Sequence, residues 1–209
     1  MRSHVKKKGS SDMKKAILVV MMMIGLVLMI AGCSGDQTGN NIKKWETQDK
    51  EAKSVLEMLT GGEYYSVADY TAGSKLKTIR FGYDYYKGGK FVKDCECGGV
   101  EKIANEKTEG LAGVCFRDGD YRAFCAEKEG GGGAVTGTLE GWKKTDARQL
   151  GFAGLEGEKA FAMNEKCYIA AYVSGGVLAE PDTMIKEKEI MKENDKCWLF
   201  YIIFNEKNQ

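Results

Sequence analysis

The sequence predicts an α+β domain: a mostly antiparallel sheet of hairpins and a meander, preceded by an amphipathic helix, with a short helix before the last strand. Three observations predict it. Gly88-Gly89 and Asp118-Gly119 each separate two apolar-rich runs, a strong short-range hairpin signal. Ahead of those hairpins, Ile42, Trp45, Ala52, Val55, Leu56 and Leu59 recur at helical spacing. Near the end, 197–204 (CWLFYIIF) is apolar throughout, as suits a strand covered on both faces.

The chain opens differently. Lys14 and Lys15 precede an unbroken apolar run over 16–31. Sixteen residues at ~1.5 Å each make about 24 Å of helix, short of the ~30 Å hydrocarbon core. The run ends in the small residues Ala31-Gly32, and Cys33 is followed by Ser34-Gly35-Asp36-Gln37 with no cluster of positive charge. That order (charge, apolar core, small residues) is the order of a cleaved secretory signal. Ile30-Ala31-Gly32-Cys33 resembles the lipobox of bacterial lipoproteins. The resemblance implies that residues 1–32 are removed as a signal peptide and that Cys33 carries diacylglycerol as the first mature residue. It also implies a protein held on the cell membrane and facing outside the cytoplasm. Two acyl chains anchor stably where one is marginal. Residues 1–12 read as a mis-called extension ahead of Met13.

Composition bounds the rest. The mature part, 33–209, is 177 residues, the size of one domain with a real core. Of the 31 basic and 30 acidic residues, six basic and one acidic lie in 1–32, which leaves 25 and 29 and a net charge near −4. Such a surface has no basic field for nucleic acid. The single histidine, His4, also lies in 1–32. Without histidine, Ser-His-Asp and Cys-His catalysis and His-based zinc sites are ruled out. No catalytic residue, cofactor or metal ligand set is predicted.

Six cysteines follow the lipobox: Cys95, Cys97, Cys115, Cys125, Cys167 and Cys197. An even number outside the cytoplasm points to disulfides, with buried free thiols as a second reading. The third reading is a thiol-redox or metal-handling site on Cys95 and Cys97, which share a face if their segment is a strand.

The elements then follow. Residues 33–41 (CSGDQTGNN) form a lipidated tether, and 34–41 reach at most ~28 Å. A single globular domain spans 42–209, with no internal repeat. Its first element is the helix over 42–60, with Asn41 as N-cap and Gly61-Gly62 as stop. Residues 63–75 carry Tyr64, Tyr65 and Tyr70 without period. A strand over 76–86 puts Ile79, Phe81, Tyr83 and Tyr85 on one face, and 91–97 returns beside it. Tyr83 and Tyr85 are a candidate ligand platform, although strand positions favour aromatic residues for packing alone.

A second hairpin spans 113–127. With Asp118-Gly119 as a two-residue turn, Cys115 faces Arg122 and lies on the opposite face from Cys125, so the two cannot bridge. The glycines of 130–133 lack the Lys-Ser/Thr ending of a phosphate loop and read as a connection. Short strands over 134–142, 149–152, 159–163 and 167–174 suggest a meander. Pro181 and Asp182 start a helix ending at Asn194-Asp195, and 197–204 belongs in the middle of the sheet.

Anchor, tether and a histidine-free, strand-rich domain favour a non-enzymatic binding or structural module at the cell surface. Its partners would be the membrane through Cys33, and an envelope polymer or another surface protein. The alternatives are a carboxylate-based envelope glycan hydrolase and the thiol site on Cys95 and Cys97.

Overall fold

A computed structural model describes residues 39–47, 49–51, 54, 64–101, 108–144, 146 and 149–207. The apolar run, the lipobox and Cys33 lie outside the described residues. From Gly39 onward the chain forms one compact unit, built as two antiparallel sheets.

Sheet A has six strands: β1 (Asn41–Lys44), β2 (Tyr64–Ala72), β5 (Thr108–Arg117), β6 (Asp120–Glu127), β7 (Gly132–Thr138) and β9 (Glu158–Ala160), in the order β7-β6-β5-β2-β1-β9. Sheet B has five: β3 (Thr78–Lys87), β4 (Lys90–Glu101), β8 (Leu150–Gly154), β10 (Lys166–Ser174) and β11 (Lys196–Asn205), in the order β4-β3-β11-β10-β8. Two short helices, α1 (Pro181–Lys186) and α2 (Lys188–Lys192), precede β11.

The class is therefore β-rich rather than α+β, and the N-terminal helix is where the expectation fails. Asn41, read as a helix cap, and Ile42, read as its first apolar position, are strand residues. Asn41 pairs with Thr71 and Ala160, and Ile42 with Tyr70 and Lys159. Ile42 is fully buried between the sheets. Ladder bonds on both sides and a core position override a helical spacing that rests on few residues. Of the remaining stretch, Lys50, Glu51 and Ser54 are helical, and most of 52–60 lies outside the described residues.

The single meander is corrected too. β8 pairs with β10 in sheet B, whereas β9 pairs with β1 in sheet A, so the chain changes sheet within a few residues. Gly154 makes that crossing possible: a Cβ there would lie 2.9 Å from Ser66 Oγ. The stretch without period, 63–75, holds β2, which lies between β5 and β1 with both faces largely buried and so lacks the alternation that marks a half-exposed strand. The C-terminal helix is two short pieces separated at Glu187.

Other expectations match. Gly88-Gly89 and Asp118-Gly119 are two-residue turns with positive φ at both positions, the geometry that follows the right-handed strand twist. Cys115 pairs with Arg122. β11 occupies the middle of sheet B. Trp198, Phe200, Ile202 and Phe204 face sheet A, while Cys197 and Leu199 face Met184 of α1 and Met191 of α2. Between the sheets the core is aromatic: Phe116 stacks on Tyr172 at 4.7 Å, Tyr85 on Trp198 at 5.7 Å, and Phe161 on Phe204 at 4.1 Å.

Candidate functional site

Tyr83 and Tyr85 do not form an exposed platform. Both point between the sheets, 3% and 5% exposed, and Tyr83 Oη accepts a hydrogen bond from the Glu140 backbone N–H at 2.8 Å. The face that looked available on one strand is the face that sheet A covers.

The cysteines are likewise structural. All six described ones are free thiols, so the expected disulfides are absent. No strand ladder sets one cysteine opposite another: Cys95 faces Tyr83, Cys125 faces Ala112, Cys167 faces Ile202, and Cys197 faces Tyr86. Cys95 and Cys97 lie on one strand, with Cys97 at an irregularity in the β3–β4 ladder, and the Cys97 thiol donates to the Cys95 carbonyl rather than bonding its sulfur. Burial pushes every thiol up, those of Cys97, Cys125 and Cys167 to about 11. A protonated thiol is a poor nucleophile and a poor metal ligand. Among the described residues, no three His, Cys, Asp or Glu side chains gather to hold a metal ion. Alkylation at neutral pH should therefore be slow in the native protein, with Cys95 and Cys97 reacting first, and all six should react on unfolding. Fast native labelling of Cys197, 1% exposed, would contradict this packing.

Two carboxylates do converge, on the outer face of sheet B. Lys166 Nζ donates to Asp84 Oδ1 at 2.7 Å and to Asp94 Oδ2 at 2.8 Å. The other oxygens accept from Tyr168 Oη at 2.6 Å and Tyr201 Oη at 2.5 Å. The ammonium also lies 4.3 Å from the Tyr201 ring centre. Burial works against the Asp94 charge, but the hydrogen bonds from Lys166 and Tyr201 outweigh it and hold that carboxyl below the usual range. Glycoside chemistry needs one carboxyl raised as a proton donor. Here both carboxylates are already engaged by Lys166 and the two tyrosines, so the cluster reads as a fastener across β3, β4, β10 and β11.

The exposed apolar surface is more telling. Five large apolar side chains stay exposed among the described residues: Tyr64, Phe91, Val92, Val177 and Leu178. Their positions in the ladders place all five at one end. Tyr64 starts β2 opposite Phe116, beside the Asp118-Gly119 turn. Phe91 and Val92 follow the Gly88-Gly89 turn, and Val177 and Leu178 follow Ser174, which pairs with Lys196. The chain enters β1 at the opposite end, where Asn41 pairs with Thr71. Ten residues of β3 separate the two ends by about 30 Å.

Next to this distal end lies a cavity of about 240 Å³. Trp45, Tyr65 and Phe152, each half-buried, line it with Leu155 and Ser66. Ser66 Oγ is already occupied: it donates to the Ile169 carbonyl at 2.8 Å and accepts from the Leu155 N–H at 3.3 Å. Lys44 and Glu156 also line the cavity, with Lys44 Nζ 2.8 Å from both Glu156 oxygens and each side chain about half exposed. Exposed Tyr64 packs on Phe152 at 5.8 Å and so joins the cavity to the distal surface.

Periodicity gave no hint of this cavity, since it assigned Trp45 to a helix stripe and the Lys44–Glu156 pair is 112 residues apart. No protein family, curated protein or solved structure matches this chain.

Proposed function

We propose that the chain is a membrane-anchored extracytoplasmic lipoprotein whose folded domain is a binding module, with its binding surface at the end remote from the tether. One observation carries the reading. The tether joins the domain at one end, and every large exposed apolar side chain among the described residues lies at the other. A domain held by its N-terminus presents that far end outward, and clustered exposed apolar groups mark interaction surfaces. The anchor rests on 14–33, where charge, apolar run and lipobox follow in order. Buried, protonated thiols suit an oxidising compartment, because a thiol that neither ionises nor meets another does not cross-link. The outward partner is an envelope polymer or a second surface protein.

The test compares wild type with Cys33→Ala. The wild-type protein should begin at Cys33, carry lipid mass and fractionate with membranes. The variant should lose the lipid and its membrane partition. If neither processing nor fractionation changes, the anchor is wrong. In the acylated protein, Phe91→Ser with Val92→Ser should abolish co-sedimentation with purified cell-wall polymer, and unchanged co-sedimentation would remove the distal surface from the reading.

A further inference from the structure

We propose that the cavity lined by Trp45, Tyr65 and Phe152 takes one pyranose ring of a neutral glycan, with Lys44 and Glu156 binding adjacent hydroxyls at its mouth. This rests on the binding-module reading and names its ligand class.

Size comes first. At about 240 Å³ the cavity is smaller than the roughly 300–1,000 Å³ of drug-sized sites. It suits one six-membered ring with its substituents, the remainder of a chain staying outside.

The walls select for shape. Three half-buried aromatic residues are among those lining the cavity, and Tyr64 packs on one of them, Phe152, at 5.8 Å. The C–H face of a pyranose is apolar, and ring faces are where such groups pack best. Ser66 donates its only proton to the Ile169 carbonyl and accepts from the Leu155 N–H, so it has no proton left for a ligand.

The rim selects for charge. Lys44 and Glu156 contribute one cation and one anion in contact, so there is no net field to favour an ion. Together they place a strong donor beside a strong acceptor. A pair of adjacent hydroxyls, each able to donate and accept, meets both without separating the ion pair. A zwitterionic amino acid would have to split the pair to use both charges.

The full-length, detergent-extracted protein should be titrated with methyl β-glucopyranoside, methyl N-acetyl-β-glucosaminide and phenylalanine, read by tryptophan emission and calorimetry. A saturable pyranoside response is expected. Trp45→Ala should weaken it at least about tenfold, the scale of one stacking face, and Trp45→Phe should restore most of it. Lys44→Met and Glu156→Gln, at exposed positions that leave the core intact, should each weaken it with unchanged melting. Absence of saturation by either pyranoside overturns the proposal, as does a response that survives Trp45→Ala. Phenylalanine binding that competes at these residues, with neither sugar doing so, overturns the ligand class. An acylated protein blind to pyranosides refutes this inference alone, whereas an unacylated one that binds them refutes the anchor alone.

Discussion

Replacing Lys166 with methionine should destabilise the domain by about 2–4 kcal/mol at pH 7, and the variant should recover stability as the pH falls. The ammonium bridges Asp84 and Asp94, which are direct partners in the β3–β4 ladder. Asp84 has 5% of its side chain exposed and Lys166 29%, so removing the cation leaves a buried carboxylate facing another. Breaking a buried pair in this way costs roughly 3–5 kcal/mol. Asp94 is 47% exposed, and solvent screening there brings the figure down.

The pH dependence has a definite sign. In the wild type Asp94 titrates below its ordinary value of 3.8, so its contribution is complete above that range and is lost as pH falls through the lowered value. Burial pulls Lys166 down, but its bonds to Asp84 and Asp94 prevail and raise it above 10.5, so it matters only in alkali. Between pH 7 and about 5 the Asp94 contribution in the wild type is therefore flat. In Lys166→Met the two carboxylates repel, and protonating one relieves them, so stability should rise over the same interval. Urea unfolding at a series of pH values measures both slopes. A variant that loses stability on acidification in parallel with the wild type would show that the two carboxylates are not coupled through Lys166.

How far this fold was legible follows from the range of the interactions involved. Local chemistry read well. Gly88-Gly89 and Asp118-Gly119 specify their turns because few residues tolerate positive φ twice in succession. The uninterrupted apolar run of β11 specifies a central strand, because only a strand covered by a sheet on one side and helices on the other needs no polar face.

What failed depended on partners distant in sequence. Ile42 and Trp45 fit a helical stripe, yet Ile42 is held in a sheet by Tyr70 and Lys159. Tyr83 and Tyr85 share a face, as alternation requires. Whether that face is open or covered depends on a second sheet, and no property of β3 itself reveals one. The Lys166 cluster joins residues 82 and 72 positions apart, beyond any periodicity. The same holds for the cavity, whose rim and walls come from β1, β2 and the β8–β9 crossing.

Trp198→Ala should be the most damaging single substitution in the core, costing about 4–5 kcal/mol. The indole is fully buried near the start of the central strand and packs with three rings: Tyr85 at 5.7 Å, Trp142 at 5.9 Å and Tyr172 at 5.9 Å. Large aromatic-to-alanine changes in cores cost roughly 3–5 kcal/mol, most where neighbours cannot collapse into the space. Here the neighbours are themselves rigid rings. A polar loss adds to the cavity, because Trp198 Nε1 donates to the Glu140 carbonyl at 2.9 Å while the Glu140 N–H is held by Tyr83. Trp198→Phe keeps one ring, losing the donor and part of the indole volume, and should cost about 1–2 kcal/mol. For a domain of this size each kcal/mol lowers the midpoint by about 2–4 °C, so the alanine variant should melt some 10–20 °C early and the phenylalanine variant only a few degrees early. Domains of this kind have about 5–15 kcal/mol in total, so the alanine variant approaches the limit of folding. Equal losses in the two variants would assign the stabilisation to the Glu140 hydrogen bond. A loss below about 1 kcal/mol in Trp198→Ala would mean that the aromatic stack between the sheets does not hold them together.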